Sequence, residues 1–316
     1  MLFFTPKNRI IQKTKRTQEE LTLKRLLFIY NPHAGKKRIA QHLHDVVYLF
    51  ATAGYEVTVH PTLFRGDATR TAAELGDQYD HIVCCGGDGT LNEVVTGLLS
   101  KPGKIHTVGY IPAGTTNDFS KTLKLPANLM KAAQLAVEGS PCPCDMGSFN
   151  GRPFVYVAAF GVFSEVSYAT PQASKNALGH LAYVLGGIKS LTQLRPYHMK
   201  VTHDGETIEG DFIYGMVSDS ISVGGFQGIK KSHVELDDGL FEVMLVRNPQ
   251  TIEELNTILT ALITKQPDGN VIGFQSGDIT FECEEAVAWT LDGEYGGDVD
   301  KAHIVNNHQA IRIMRG

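Results

Sequence analysis

Asp88 stands among three glycines in Gly86-Gly87-Asp88-Gly89-Thr90, between the apolar run His81-Ile82-Val83-Cys84-Cys85 and a helically spaced segment with Leu91, Val94, Val95, Leu98 and Leu99. Glycines at a strand-to-helix turn permit positive φ and close backbone approach. The unpaired amides of the first helical turn, with the helix dipole, favour an anion. The chemistry on offer is phosphate binding, with Asp88 able to hold Mg²⁺ directly or through water. An ordinary turn of this kind would need one glycine, whereas this one surrounds an Asp with three. A second pair of carboxylates, Asp292 and Glu294 of Leu291-Asp292-Gly293-Glu294, closes the predicted strand Trp289-Thr290-Leu291. A carboxylate on so rigid an edge is placed to accept the proton of an attacking alcohol. Taken alone, the same residues also read as an exposed Asp-Gly turn.

The elements around these residues alternate. Leu26 to Tyr30 is an unbroken apolar run, Asn31-Pro32-His33-Ala34-Gly35 a loop, and Ile39 to Ala53 has helical spacing through Leu43, Val46, Val47 and Phe50. A strand over Tyr55 to His60, a helix over Thr69 to Leu75, the strand His81 to Cys85, the helix Leu91 to Leu99 and a strand over Thr107 to Ile111 continue the pattern. Such alternation predicts a parallel sheet covered on both faces. Its carboxyl edge, where open α/β sheets bind ligands, carries Asn31 to Gly35, the glycine turn, and Pro112-Ala113-Gly114-Thr115-Thr116-Asn117-Asp118. Neither the Walker A pattern nor GxGxxG is present, so a P-loop protein and a standard dinucleotide binder are both excluded.

After about Asp145 the pattern becomes antiparallel. Strands are predicted over Phe154 to Phe160, His198 to His203 and Glu206 to Val217, with the Asp204-Gly205 hairpin signal between the last two. Shorter ones follow at Leu240 to Val246, Asp278 to Glu282, Ala286 to Leu291 and Ala310 to Met314. Two helices interrupt them, Asn176 to Leu194 and Ile252 to Ile263, the second opened by the capping box Thr251-Ile252-Glu253-Glu254. The expected fold is α/β in two domains: a parallel α/β sheet over 25–145 and an antiparallel β sandwich over 146–302. Residues 303–316 are candidates to return to the first domain, and 1–24 read as a mobile extension.

Composition narrows the partners. A formal charge of -5, without a long Lys/Arg run, argues against nucleic acid. Five cysteines make no disulfide framework and fit a reducing cytosol. No stretch approaches the roughly eighteen consecutive apolar residues of a transmembrane helix, so any membrane contact is expected to be peripheral. Lys7, Arg9, Lys13, Lys15 and Arg16 could tether the chain to anionic lipid.

Asn31-Pro-x-Ala-Gly35, Gly86-Gly-Asp-Gly-Thr-Leu-Asn-Glu93 and Pro112-Ala-Gly-Thr-Thr-Asn-Asp118, in that order, resemble the soluble diacylglycerol kinase family, which includes bacterial lipid kinases and sphingosine kinases. The likeness extends to Asp145-Met-Gly147, Leu236-Asp-Asp-Gly-Leu240 and Leu291-Asp-Gly-Glu294. The resemblance implies an NAD kinase-like first domain. It also implies ATP contacts from Asn31, Pro32, His33, Ala34, Gly35, Thr62, Gly87, Asp88, Gly89, Thr90, Leu91, Asn92, Glu93 and Thr115. Asp88, Asp118 and Asp145 would join a water and Mg²⁺ network. A structural Mg²⁺ would be held by the Asp238 carboxylate and backbone oxygens of Glu235 and Leu240, although Lys231-Ser232-His233-Val234 replaces the family's usual Pro-x-Ala stretch. Asp292 would be the general base with Glu294 beside it, the two being able to exchange roles.

The function expected is in-line transfer of the γ-phosphoryl group of Mg-ATP to a lipid hydroxyl, most simply diacylglycerol, at the membrane surface. The sequence leaves the lipid and a homodimer open. An NAD kinase shares the glycine turn, but the Asp238-Gly239-Leu240 and Asp292-Gly293-Glu294 pairings go with the lipid kinases. A non-catalytic lipid or nucleotide binder would be expected to have lost one of Asp88, Asp292 and Glu294.

Overall fold

The computed structural model describes residues 23–35, 38–101, 103–115, 117–162, 191–219, 235–264 and 268–316, together with 182, 185, 187 and 266. Most of the extension, most of the helix expected over Asn176 to Leu194, and Lys231-Ser232-His233-Val234 lie outside them.

The first unit is built on β1 (Lys24–Tyr30), β2 (Tyr55–Pro61), β3 (His81–Gly86) and β4 (Thr107–Pro112), parallel in the order β4-β3-β1-β2. The interior strands are apolar on both faces because helices cover both: α1 (Arg38–Thr52) and α5 (Leu129–Glu138) on one side, α2 (Asp67–Leu75) and α3 (Asp88–Leu99) on the other. A short α4 (Asp118–Thr122) follows β4. The helix over Leu129–Glu138 is an addition to the expected pattern; Asn128 caps it by accepting from Lys131 N at 3.0 Å.

The rest is antiparallel: β5 (Ser140–Phe149), β6 (Arg152–Phe154), β7 (Val157–Gly161), β8 (Tyr197–His203), β9 (Glu206–Ser218), β10 (Phe241–Arg247), β11 (Val271–Ser276), β12 (Asp278–Leu291) and β13 (Glu294–Arg315). The inner faces of this β sandwich bury Phe154, Phe160, Phe212, Phe281 and Trp289. A last helix, α6 (Ile252–Thr264), lies on an outer face, its Leu255, Ile258 and Leu262 packed with Met244 and Val246. Among the described residues no helix is long and apolar enough to cross a membrane.

β13 joins the two units. It pairs antiparallel with β12 and β5 and then, at Arg312 and Ile313, parallel with Thr107 and Val108 of β4. Here the structure corrects the expected pattern: the final strand spans 22 residues rather than Ala310 to Met314, and the two strands expected over 278–291 are one with an irregularity between Glu282 and Val287. The strand expected over Phe154 to Phe160 is broken at Val155-Tyr156, where the backbone amides turn toward a carboxylate instead of a neighbouring strand.

Candidate active site

Three loops at the carboxyl edge of the parallel sheet meet because glycines let their backbones touch. Gly35 has φ +52°, and a Cβ there would stand 2.3 Å from the Ala113 oxygen. A Cβ on Gly114 would stand 2.5 Å from the Gly87 Cα. Asn117 ties its own loop by accepting from Gly114 N at 2.8 Å and donating to Gly114 O at 2.9 Å. α3 begins at Asp88, its first backbone bonds running from Thr90 N and Leu91 N to Gly87 O. Its first amides therefore stand at the edge of a cleft of about 460 Å³.

The cleft is lined by Asn31, His33, Ala34, Gly35, Thr62, Gly87, Gly89, Thr90, Glu93, Thr115 and Glu294, all expected from the sequence, with Leu63, Phe64, Arg65 and Gly114 in addition. Other expected contacts point elsewhere. Leu91 is buried in the core between α3 and the sheet. Asn92 turns its amide to Asp292. Glu93, although it lines the cleft, has its carboxylate taken up by Gly66 N at 2.8 Å and Ala68 N at 3.3 Å, capping α2. Leu63 to Arg65 lie on the loop after β2, and the position of that loop at the carboxyl edge was the signal that could have found them.

Asp88 accepts from Asp118 N at 2.9 Å and Phe119 N at 3.4 Å, so it docks α4 against the glycine turn. Burial pushes its carboxyl up to about 6, with Asp118 and Asp292 adding to the push against those two amide bonds. Asp118 pairs with Lys121 at 2.7 Å. Tyr156 stacks on Phe119 at 5.8 Å between centroids. Burial, then the carboxylates of Asp88, Asp292 and Asp118, holds its phenol well above the usual value.

Asp292 and Gly293, at φ 52° and 83°, form the two-residue hairpin turn between β12 and β13. The Asp292 carboxylate is buried there. Oδ1 accepts from Tyr156 N at 2.9 Å and Val157 N at 3.1 Å; Oδ2 accepts from Val155 N and the Asn92 amide, both at 2.7 Å. Burial raises its pKa, and these four donors pull against the rise. Through Asn92 the carboxylate is locked to the helix that begins at the glycine turn. Glu294 sits over that turn, its Oε1 3.1 Å from where a Cβ of Gly89 would be.

Asp145 lies farther off, fully buried, accepting from Gly239 N at 2.7 Å and Gln309 N at 2.6 Å. It holds the 235–240 loop against β13 and is not brought to the cleft. In that loop Asp238 accepts from Leu240 N at 3.0 Å, and Glu235 is exposed. Among the described residues no three His, Cys, Asp or Glu side chains are arranged as a ready metal cage. Yet Asp219, at the end of β9, is 1% exposed and neither carboxylate oxygen has a hydrogen-bond partner among the described residues. Burial pushes its pKa well up, and Glu242, Asp145, Asp238 and Asp237 push it further. A buried carboxylate left over in so acidic a setting fits a divalent cation nearby. The backbone oxygens and lone Asp238 carboxylate expected to hold it would not make a three-carboxylate cage.

A parallel α/β sheet joined through one strand to a β sandwich, with a glycine turn at a cleft and a buried Asp tied to the helix that follows the turn, defines a two-domain kinase-type enzyme. Comparison with known sequences gives the family. The diacylglycerol kinase catalytic domain matches residues 25–149, and the YegS C-terminal NAD kinase beta sandwich-like domain matches residues 157–315. The chain is 36% identical over 295 residues to a diacylglycerol kinase of Bacillus subtilis (strain 168), covering 92% of this chain and 96% of that one. It is 35% identical to a diacylglycerol kinase of Staphylococcus aureus (strain MRSA252), covering 92% of each. A crystal structure from Bacillus anthracis str. Sterne, provisionally assigned as a diacylglycerol kinase, superimposes with a TM-score of 0.76 at 27% identity, covering 93% of this chain and 97% of that one. The chain belongs to the diacylglycerol kinase catalytic domain family. It is a lipid kinase.

Proposed function

We propose that this lipid kinase transfers the γ-phosphoryl group of Mg-ATP to a hydroxyl of diacylglycerol or a related lipid, working as a peripheral protein at the bilayer surface. The observation that carries the reading is the lock between Asp292 and Asn92 at 2.7 Å, which fixes a buried carboxylate relative to the phosphate-type turn at the start of α3. Phosphoryl transfer needs little covalent help from the protein and depends on such positioning.

In this reading the amides of Gly87 to Thr90, with Thr62 and Thr115, hold the nucleotide phosphates. Asp88 and Asp118 organise the Mg²⁺ and its waters, Asp145 acts at one remove by holding the 235–240 loop, and Asp238 with backbone oxygens of Glu235 and Leu240 holds a structural ion. Bound Mg²⁺ offsets charge on the phosphate being transferred. Asp292 accepts the proton of the lipid hydroxyl, with Glu294 beside it. All four in-plane lone pairs of Asp292 are occupied, three of them by backbone amides. The Asn92 amide is the one side-chain donor among the four.

The test is incubation of the purified protein with γ-labelled ATP, Mg²⁺ and mixed micelles of several hydroxyl lipids, with NAD as an alternative acceptor and Asp292→Asn as control. Label on one lipid, lost in the variant, supports the reading. Label on NAD, or on no acceptor across the lipid classes, removes it.

A further inference from the structure

Arg65 reaches across the cleft. Its Nη2 donates to Glu294 Oε2 at 2.6 Å, joining the loop after β2 to the turn that carries Asp292. The loop is pinned from below: buried Asp67 accepts from Leu63 N at 2.9 Å, and Glu93 accepts from Gly66 N at 2.8 Å. The pair faces solvent, with the Arg65 side chain 78% exposed and that of Glu294 49% exposed. A surface pair of this kind adds little to stability, so its place in the fold calls for another explanation.

Charge supplies one. Among the described residues lining the cleft, Arg65 is the one Lys or Arg, set against Glu93 and Glu294. Glu93 is already bound to backbone amides. Glu294 holds one oxygen on the guanidinium and the other over the first turn of α3, near Gly89. An anion flanked by an arginine and a helix N-terminus is the setting a phosphate oxygen seeks.

We propose that Arg65 binds the terminal phosphates of the nucleoside triphosphate, and that Glu294 occupies this position until the nucleotide arrives. The exchange moves Arg65 from a carboxylate to a phosphate and frees Glu294 beside the acceptor hydroxyl, so nucleotide binding completes the site for the lipid. This rests on the ATP-dependent reading above and adds a residue and an order of events to it.

Calorimetric titration of the full chain with ATP and with AMP tests it, using wild type, Arg65→Ala, Arg65→Lys, Glu294→Gln and the Arg65→Ala/Glu294→Gln double variant. Arg65→Ala should weaken ATP binding about 10-fold or more, as for loss of a charge-assisted bond, with about 2-fold or less change for AMP; Lys should restore part of the loss. Glu294→Gln should tighten ATP in the wild-type background and leave it unchanged when Arg65 is absent. Equal ATP affinity for wild type and Arg65→Ala overturns the proposal, as does an equal effect of Glu294→Gln in both backgrounds. A folded wild type that binds no ATP overturns the ATP-dependent reading and this inference with it, an outcome distinct from either of those.

Discussion

The chain contains two Asp-Gly hairpin turns of nearly the same backbone shape. Asp204 and Gly205 have φ 46° and 82°; Asp292 and Gly293 have φ 52° and 83°. The first links β8 to β9 at a hairpin tip, with the Asp204 side chain 61% exposed and only a 3.4 Å contact to the adjacent His203. The second buries its Asp against three amides and Asn92. Local turn chemistry accounts for both backbones. What sets them apart comes from other parts of the chain: the break at Val155-Tyr156, which opposes the turn with donors, and α3, which supplies the side-chain amide.

The largest effect expected from this contrast comes from making the same substitution in both turns. Asp292→Asn removes the proposed proton acceptor and turns an amide NH₂ toward donors, so label transfer to lipid should fall about 100- to 10,000-fold. Asp204→Asn keeps a residue that suits the turn, and should leave activity unchanged and stability within about 0.5 kcal/mol. Comparable losses in the two variants would mean that the buried turn has no chemical role of its own.

A pH series sharpens the burial side of the comparison. Asp88 is raised from 3.8 to about 6 in the folded protein, chiefly by burial. A carboxyl raised on folding contributes stability that is whole below its unfolded value and is lost as pH rises through the folded one. For Asp88 that window runs from about pH 4 to pH 6 and is worth at most about 3 kcal/mol. Melting temperatures of the ligand-free protein over this range should show a smaller decline for Asp88→Asn than for wild type. Parallel curves would show that Asp88 is not held in its acid form.

Asn92 allows a finer cut, because its bond to Asp292 favours the charged carboxylate. Without it the Asp292 pKa rises further, and the acid limb of the pH–rate profile in Asn92→Ala should move to higher pH. The plateau at higher pH should be retained. An unmoved limb would assign the ionisation seen in the kinetics to another group.

Much of the site was legible in the sequence, and the gaps follow one physical pattern. The alternation from β1 to β4 and the glycine turn could be read because local spacing determines them. Pro141 and Pro143 mask β5, whose strand character comes from lying against β13. β13 was seen only at its end because Gly296, Gly297, Asn306 and Asn307 interrupt its alternation, while β12, β5 and β4 pair with it in turn. Leu91 was expected at the nucleotide from its place in the motif, but helix geometry turns it to the core. The side-chain partners of Asp292 and Arg65, Asn92 and Glu294, lie 200 and 229 residues away along the chain, so no local pattern could announce them.

The smallest expected effect tests whether the two turns are alike in backbone once chemistry is set aside. Neither Gly205 nor Gly293 would bring an added Cβ within 4 Å of any neighbour, and both sit at positive φ. Gly→Ala at either site should therefore meet only the backbone cost of a left-handed conformation, about 1 kcal/mol each. Urea unfolding should give equal losses within a few tenths of a kcal/mol. In the kinase assay the two should part company: Gly205→Ala leaves the rate alone, whereas strain at Gly293 is transmitted to the carboxylates on either side of it. A larger loss of stability at Gly293 alone would mean that the buried turn is already strained, and that the four donors around Asp292 hold it against that strain.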